Sequence, residues 1–510
     1  MRKMHFRLLA SLLLSGALTA AAQTTNFPPP NHPLSLRECI DLALIKNLDL
    51  QIEHLSAEIV RDNLSAAYGI YAPTFSSQTK YAYETNNSSV DWKKQNPYVP
   101  YELKTETGGS ALSGQVPFGL SYDFNAEVGK YRGGTALASG VRQTNEFFSD
   151  ASVTLRQHLL KDFWMDQSRE TVLLRRKELK MSQQALLLEV MKTVLSVELA
   201  YFDLAGAREQ IKVEEKALEL KQQLLSETKR RVEVGDLPPL DSEQAETQLQ
   251  NTITALAAAR EAYVSRQNAL KSLLTDDFRI WADFDLHPAD PLAATPVEVN
   301  RSESFERALK DRPDLQEARL AIEKSDVVIK FRYNQLFPSL DLIGKYGGTG
   351  SAPDFGTATS DAFHFRYPEY YAGVVLSFPL GSVTERANYR ASKAAKQIAE
   401  LQLKKAEQEV LLLIADLVNR IQSRFTQVGS TRKARQYAEA ALAAEQKKLQ
   451  NGLSTSFIVL QLQETLTGAR TAEVLALADY NKVRSQLAFA EASSMKKYRL
   501  RLEAPWEKQR

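Results

Sequence analysis

The feature that most constrains the fold is a long stretch without helix breakers that ends in a glycine and proline turn. From about Asp166 to Arg231 the sequence contains no proline and a single glycine, Gly206. A helix of that length measures about 100 Å, at about 1.5 Å per residue. It has to stop near Gly235, since glycine is favoured just past a helix end and the prolines at 238 and 239 follow it. The sequence therefore predicts a tight turn between two long antiparallel helices.

A second turn of the same kind lies near the C-terminus, around Gly452. Apolar residues recur at heptad spacing on both sides of each turn, which predicts left-handed coiled coils. If the first copy is shifted so that Gly235 falls on Gly452, the heptad positions stay apolar or aromatic at all but two places. At those two places Arg435 replaces Leu218 and Glu473 replaces Leu256.

The N-terminal part of each half is duplicated as well. The segment Ala43–Gln51 matches Ala308–Gln316, and each copy continues as a helix, a proline and an extended segment. We expect one continuous first helix from Ser35, which has capping-box spacing, to about Tyr71. Each half is thus predicted to contain a shorter helix, a β region, a very long helix, a turn and a return helix.

These patterns divide the chain into six segments. A cationic start, an apolar core and the run Ala20-Ala21-Ala22 predict a secretory signal peptide. We expect Cys39, the only cysteine, to be a buried structural thiol. The predicted segments are the signal peptide (1–22), an N-terminal connector (23–33), the first structural repeat (34–274), a linker (275–300), the second structural repeat (301–490) and a polar C-terminal tail (491–510).

The β regions are too small to close on their own. Four or five candidate strands are predicted per chain, with a Gly-rich loop over residues 347–361, whereas a barrel needs about eight strands or more. No apolar run is long enough for a transmembrane helix, so a membrane span would have to be a β-barrel. Three copies of four strands would give a barrel of about twelve. A stretch over residues 108–131 could add a hairpin or lengthen an outer loop.

Composition and motifs argue against other classes of protein. The formal net charge of +2 is too small for a nucleic-acid binder. The six histidines have no metal-ligand spacing, and no catalytic triad, phosphate loop or paired-carboxylate motif is present. We therefore predict no catalytic residues, no metal, no cofactor and no enzymatic activity.

The paired turns and the paired segments at Asp49-Leu50 and Asp314-Leu315 resemble the TolC-like outer-membrane efflux protein family over about residues 34–490. The resemblance implies an α+β membrane protein, in which a duplicated half forms a homotrimeric outer-membrane β-barrel of about twelve strands. A long antiparallel coiled-coil α-helical barrel continues it across the periplasm. The implied partners are a periplasmic adaptor (membrane fusion protein), an inner-membrane pump and outer-membrane lipid, without nucleic acid.

The resemblance also implies that the two turns dock onto the adaptor at the periplasmic end. The charged latch of the best-studied members is absent here, because Leu449, Ser454, Ile458 and Gln461 occupy its positions. Asp241 matches one family position and is also a candidate helix N-cap. The predicted docking residues are Val234, Gly235, Asp236, Leu237, Asn451, Gly452, Leu453, Ser454 and Thr455, and the candidate constriction residues are Asp241, Gln244, Gln461 and Glu464.

Aromatic residues near the strand ends are candidates for a membrane-interface belt: Trp164, Tyr370 and Tyr371. For Trp164 a buried packing role remains open. The leading functional interpretation is a passive outer-membrane channel of a tripartite efflux or type I secretion system, which carries small molecules or polypeptides. The alternative is a periplasmic coiled-coil scaffold or adaptor with a soluble β-domain.

Overall fold

The computed structural model describes residues 33–87, 100–137, 140–235 and 237–500. The predicted signal peptide, nearly all of the connector and Asp236 therefore lie outside the described residues. The described chain forms a layer of long helices joined at one end to an antiparallel sheet. The helices are α1 (Leu36–Lys46), α2 (Leu48–Tyr68), α3 (Gln167–Glu233), α4 (Pro239–Leu274), α5 (Phe278–Trp281), α6 (Arg301–Asp311), α7 (Pro313–Asn334), α8 (Phe355–Phe363), α9 (Val383–Gln450), α10 (Ser456–Ala490) and α11 (Ser494–Lys497), with a 3-10 turn at Gly69–Tyr71.

The helices of the two halves correspond closely in length. The long helices α3 and α9 have 67 and 68 residues, and the return helices α4 and α10 have 36 and 35. At about 1.5 Å per residue each long helix spans about 100 Å. The turns that end them therefore lie at a similar distance from the sheet.

The first helix of each half is broken, which the sequence did not lead us to expect. α1 ends at Asn47, whose extended backbone (ψ 127°) stops the helix and whose side chain accepts a hydrogen bond from the Leu50 backbone N–H. In the second half Arg312 has the same conformation (ψ 126°) and precedes Pro313. Ser35 caps α1 with the predicted capping box. The prediction of one continuous helix to about Tyr71 is wrong, because the Asn47 side chain caps a new helix instead.

The helices pack side by side in one layer. Near the sheet, α3 contacts α2 and α7, and α7 contacts α9; farther away, α3 contacts α4 and α10, and α10 contacts α9. α2 and α4 thus occupy successive stretches of one side of α3. The heptad residues form the buried seams, with Val197 and Leu204 in one cluster and Ile414 and Ile421 in another.

The two exceptions to the apolar heptad pattern are partners. Arg435 of α9 donates a hydrogen bond from Nε to the Glu473 carboxylate of α10. Arg432 adds a second contact to that carboxylate at 3.3 Å, and Arg435 also pairs with Glu439 at 2.9 Å. A polar pair thus occupies heptad positions held by two leucines in the first half.

In the part of the chain that the structure describes, the sheet has six antiparallel strands in sequential order, where four or five were expected. The stretch over residues 108–131 lies within the hairpin of β2 and β3, which is paired into the sheet. A loop was predicted over residues 347–361, but β5 continues to Ala352, and Asp354 then caps α8 by accepting from the Thr357 N–H. The strands are β1 (Thr74–Asn87), β2 (Pro100–Gln115), β3 (Leu120–Leu137), β4 (Gly140–His158), β5 (Ser339–Ala352) and β6 (Pro368–Ser377).

The segment between the halves is held by two equivalent tyrosines. Tyr263 donates a hydrogen bond to the Leu286 carbonyl at 2.9 Å, and Tyr480 donates to the Thr295 carbonyl at 2.5 Å.

Cys39 is buried as predicted, and burial raises the pKa of its thiol to about 12.

The first part of the C-terminal segment, which the sequence marks only as polar, packs onto the helices. Residues 494–497 form α11, and Lys497 and Tyr498 both contact the fully buried carboxylate of Glu198 on α3. The segment therefore packs against the first half, at least as far as residue 500.

Candidate functional site at the helical tip

The first turn begins where α3 ends at the predicted glycine. Gly235 has φ +83°, a conformation that costs an L side chain energy and glycine almost none. Its backbone N–H donates to the Val232 carbonyl at 3.1 Å, which satisfies one of the free carbonyls at the helix end. Pro238 and Pro239 then start α4, where the missing proline N–H is not needed.

The second turn is a complete Schellman motif. Gly452 has φ +72°, its N–H donates to the Leu449 carbonyl at 3.1 Å, and the Leu453 N–H reaches back to the Lys448 carbonyl at 2.8 Å. Ser454 donates a hydrogen bond to Glu445 at 2.6 Å, which ties the outgoing chain to the last turn of α9. We call the two turns, residues 234–237 and 451–455, the helical tip.

Arg231 joins the two halves next to the tip. It lies in the last turn of α3, and both terminal nitrogens of its guanidinium donate to the Leu449 carbonyl of α9 at 3.3 Å. The cation thereby meets the negative end of the α9 dipole, and Glu227 holds it from the other side at 2.8 Å. Sequence reasoning missed Arg231, since an arginine in a charged coiled coil resembles any solvated surface residue.

Three of the four candidate constriction residues line one groove of about 490 Å³. Gln244 projects from α4, and Gln461 and Glu464 project from α10; all three are exposed. Asp241 is one turn closer to the start of α4 and is not among the lining residues. The alternative role of Asp241 as the helix N-cap is wrong, because α4 begins at Pro239 and its N-cap is Pro238.

A buried cation lies next to this groove. Lys221 of α3 is only 7% exposed, and its ammonium donates to the side-chain oxygen of Gln248, a groove residue, at 3.3 Å. Burial lowers the pKa of Lys221, while the nearby carboxylates of Glu464 and Glu214 act in the opposite direction. The Glu464 carboxylate thus lines the groove and also acts on Lys221.

The tip itself exposes apolar side chains. Val234 is 68% exposed and Leu453 is 76% exposed, and Leu240 and Phe457 in the first turns of α4 and α10 are exposed as well. Of the predicted docking residues, those that the structure describes lie together in the two turns, with Leu237 and Ser454 partly covered. Apolar groups displayed on a polar surface are typical of a protein contact site.

The candidate interface aromatics separate into different places. Trp164 is 67% exposed just after β4, which disagrees with the alternative of a buried packing role. Tyr370 and Tyr371 are neighbours in β6, so their side chains project to opposite faces of the sheet. Tyr370 shares the face of Phe75 and Phe124, which is the more apolar one.

Two features are absent from the described residues. None of their helices combines the length and the apolar character needed to cross a membrane. Within the same residues, no group of three or more histidine, cysteine, aspartate or glutamate side chains is placed to hold a metal ion.

Comparison with known proteins identifies the family. The profile described as "Outer membrane efflux protein" matches residues 124–275 and 305–492, which is more than half of the chain. The chain belongs to the outer membrane efflux protein family. The family and its members place the chain in the outer membrane as an efflux channel, as the sequence led us to expect, and do not favour the alternative of a periplasmic scaffold.

Individual members agree with this assignment. The outer membrane protein TolC of Vibrio cholerae is 24% identical over 393 residues, which cover 75% of this chain and 82% of that protein. The CmeC outer membrane channel of Campylobacter jejuni superposes with a TM-score of 0.65 at 15% identity, over 90% of this chain and 85% of that one. The MtrE channel of Neisseria gonorrhoeae, solved in its open state, gives 0.64 at 17% identity, over 90% and 89%. The chain therefore has the fold of the channel proteins in this family.

Proposed function

We propose that this efflux protein works as a homotrimer and forms the exit duct of a tripartite efflux or type I secretion system. The observation that carries the proposal is the pair of matched helical hairpins, which bring both turns to one tip about 100 Å from the sheet. One copy presents only a layer of helices with exposed apolar residues. Three copies, each with four helices side by side, would close that layer into a tube.

The tip is the proposed docking surface for a periplasmic adaptor, with an inner-membrane pump supplying energy. The exposed Val234 and Leu453 of the tip, together with the exposed Leu240 and Phe457 next to it, support a protein contact. The Schellman motif and the hydrogen bonds of Arg231 support a tip of defined shape, because they fix both turns relative to each other. In this proposal segments 34–274 and 301–490 are the two repeats and 275–300 is the linker between them.

The docking proposal is tested by replacing both tip glycines with proline. Gly235→Pro with Gly452→Pro is incompatible with φ near +80°, since proline is confined to about −65°. We expect the double variant to reach the outer membrane as detergent-extracted trimers and to lose export. Trimers that export at the wild-type rate would remove the docking role of the tip, and a soluble monomer in the periplasm would refute the channel itself.

The constriction is proposed to run along the groove of Gln244, Gln461 and Glu464, with Asp241 at its edge. Carboxylate side chains at a narrow opening fill part of it and hold cations there, so their truncation to alanine should widen the opening and raise conductance. We expect Asp241→Ala and Glu464→Ala each to raise the single-channel conductance in planar bilayers. Glu261→Ala, on an exposed face of α4 farther from the tip, is the matched control. Conductance equal to wild type in both test variants would rule out this constriction.

A further inference from the structure

The helix α8 covers part of one face of the sheet. It lies on β4 and β5, where Ser149 donates a hydrogen bond to the Ala358 carbonyl at 2.6 Å and a Cβ on Gly350 would collide with that same carbonyl. At the start of α8, the ring of Phe355 meets the ring of Phe147 edge-on, with 5.8 Å between the ring centroids. The helix is thus fixed on two strands, and its edge lies next to the same face of β2 and β3.

A groove of about 410 Å³ lies beside α8 on this face. Gly108 of β2 and Val128 of β3, which are partners in register, belong to its floor. A Cβ on Gly108 would have only the methyl group of Thr79 near it, at 3.9 Å, so the space above this glycine is open. Tyr81 of β1 and Phe355 of α8 also line the groove, and both are exposed. The groove therefore has an apolar floor and is accessible from outside the chain.

Three cations lie on the same face, towards the end of the sheet that is farthest from the helices. Lys130 of β3 lines the groove, and its ammonium lies 4.4 Å from the centre of the Phe147 ring. Two residues farther along the strands, Lys104 of β2 and Arg132 of β3 are direct partners in register and project to this same face. Both of these side chains are exposed. The groove thus leads from an apolar floor to a cluster of positive charge.

The pairing of Lys104 with Arg132 is unfavourable by itself, because like charges directly opposite each other on adjacent strands destabilise a sheet. Lys130 lies opposite Glu106, which offsets its charge. Within the described residues, in contrast, neither Lys104 nor Arg132 forms an ion pair with a carboxylate. The exposed Glu102, two residues from Lys104 on β2, offsets only part of their combined charge. Two adjacent cations of this kind match a ligand group that carries two negative charges.

A phosphate monoester has the matching charge and geometry. It carries a charge of about −1.5 to −2 at pH 7 and three acceptor oxygens. Arginine binds phosphate through two parallel N–H···O bonds, and lysine adds a point charge. A free phosphate would leave the apolar groove unused, whereas a lipid with a phosphate headgroup would occupy the cations and the groove together. The family places the chain in the outer membrane, where lipids with phosphate headgroups surround the protein.

We propose that this face of the sheet binds a phosphorylated membrane lipid, with its phosphate between Lys104 and Arg132 and an acyl chain in the groove beside α8. Lys130 lies between these two parts and provides a further contact for the headgroup. Because the helices extend into the periplasm, the cations lie towards the outer surface. All of these residues belong to one chain, so the proposal does not depend on the trimer or on docking at the tip.

The first test compares two lipids that differ in headgroup charge. The full chain in a non-ionic detergent is titrated into phosphatidic acid, a phosphate monoester, or into phosphatidylglycerol, a diester with one negative charge. Both lipids carry a fluorophore at the end of one acyl chain, and its anisotropy gives the dissociation constants. We expect tighter binding of phosphatidic acid, weakened about fivefold by Lys104→Gln or by Arg132→Gln and about thirtyfold by both together. Arg156→Gln, which removes an exposed cation on the opposite face of β4, is the matched control and should bind like wild type.

A second measurement separates the lipid from a free phosphate. Glycerol phosphate and inorganic phosphate have the headgroup chemistry without an acyl chain, so we expect them to displace labelled phosphatidic acid only weakly. Gly108→Leu should fill the floor of the groove, where the space is open, without changing any charge. We expect this variant to bind phosphatidic acid more weakly than wild type and to bind glycerol phosphate equally well.

Thermal unfolding provides an independent readout and shows that the variants fold. A ligand that binds only the folded chain raises its unfolding midpoint, so phosphatidic acid should raise the midpoint of wild type and not that of the variant with both cations replaced. Equal affinity of wild type and this double variant for phosphatidic acid would overturn the proposal, as would equal affinity of wild type for the two lipids. Glycerol phosphate that binds as tightly as phosphatidic acid would overturn the lipid as the occupant of the site.

Discussion

The polar pair that interrupts the second coiled coil gives a quantitative prediction. Arg435 and Glu473 can both be replaced by leucine, which recreates the residues found at the equivalent positions, Leu218 and Leu256. The pair is partly enclosed: the Glu473 side chain is 12% exposed and that of Arg435 is 27% exposed. Removing one partner leaves the other charge partly enclosed and without its main counter-charge.

The expected loss of unfolding free energy depends on which ion-pair partners the remaining charge keeps. Removing one partner of a fully buried ion pair costs about 3–5 kcal/mol. After Glu473→Leu, Arg435 keeps Glu439 and some solvent, so we expect a loss of about 1–3 kcal/mol. After Arg435→Leu, Glu473 keeps only Arg432 at 3.3 Å, and we expect about 2–4 kcal/mol. The double variant should lie within about 1 kcal/mol of wild type, because neither charge remains.

The measurement is thermal unfolding of the full chain in detergent, followed by circular dichroism at 222 nm. The apparent midpoints should rank wild type and the double variant together, with both single variants clearly below. Arg424→Leu is the control, since its contact with Asp479 also joins α9 to α10 but is long (3.9 Å) and exposed, and should matter by less than about 1 kcal/mol. A double variant as unstable as the two single losses combined would show that the residues do not act as a pair.

Three further predictions concern single positions. Gly452→Ala should cost about 1–2 kcal/mol because of its positive φ, whereas Gly429→Ala, inside α9 with open space around it, should stabilise by roughly 0.5–1 kcal/mol; unfolding midpoints compare the two. Cys39 should not react with maleimide in the native protein at pH 8, because its raised pKa keeps it a thiol, and should react once the chain is denatured. Tyr263→Phe and Tyr480→Phe should each cost about 1 kcal/mol in the same melts, and a midpoint equal to wild type would show that the linker does not depend on these hydroxyl groups.

The sequence predicts the helical half of the molecule well, since its signals are local and repeated. The absence of proline before Gly235 and the second turn at Gly452 place both hairpins within a few residues. The break at Asn47 was missed because asparagine is tolerated inside helices, and only its side chain bond to Leu50 shows that it caps a new one.

The sheet and the site were harder to predict because they depend on distant contacts. The sequence led us to predict a loop where α8 lies, because the region is rich in glycine. A Cβ on Gly350 would collide with the Ala358 carbonyl, so glycine is what allows α8 to pack closely against β5. At the tip, both turns were located, but the bond from Arg231 to Leu449 joins residues from the two halves. No local pattern marks such a contact.

The near-equal lengths of α3 and α9 have a consequence for how such a chain can change during evolution. Both turns must end at one level, so an insertion in one hairpin has to be matched in both helices of the other. A heptad adds about 10 Å, which is also the smallest step that keeps the seams facing each other. The length of the two helical hairpins is therefore nearly fixed. The sheet is free of that restriction, because an added hairpin leaves the direction of every other strand unchanged.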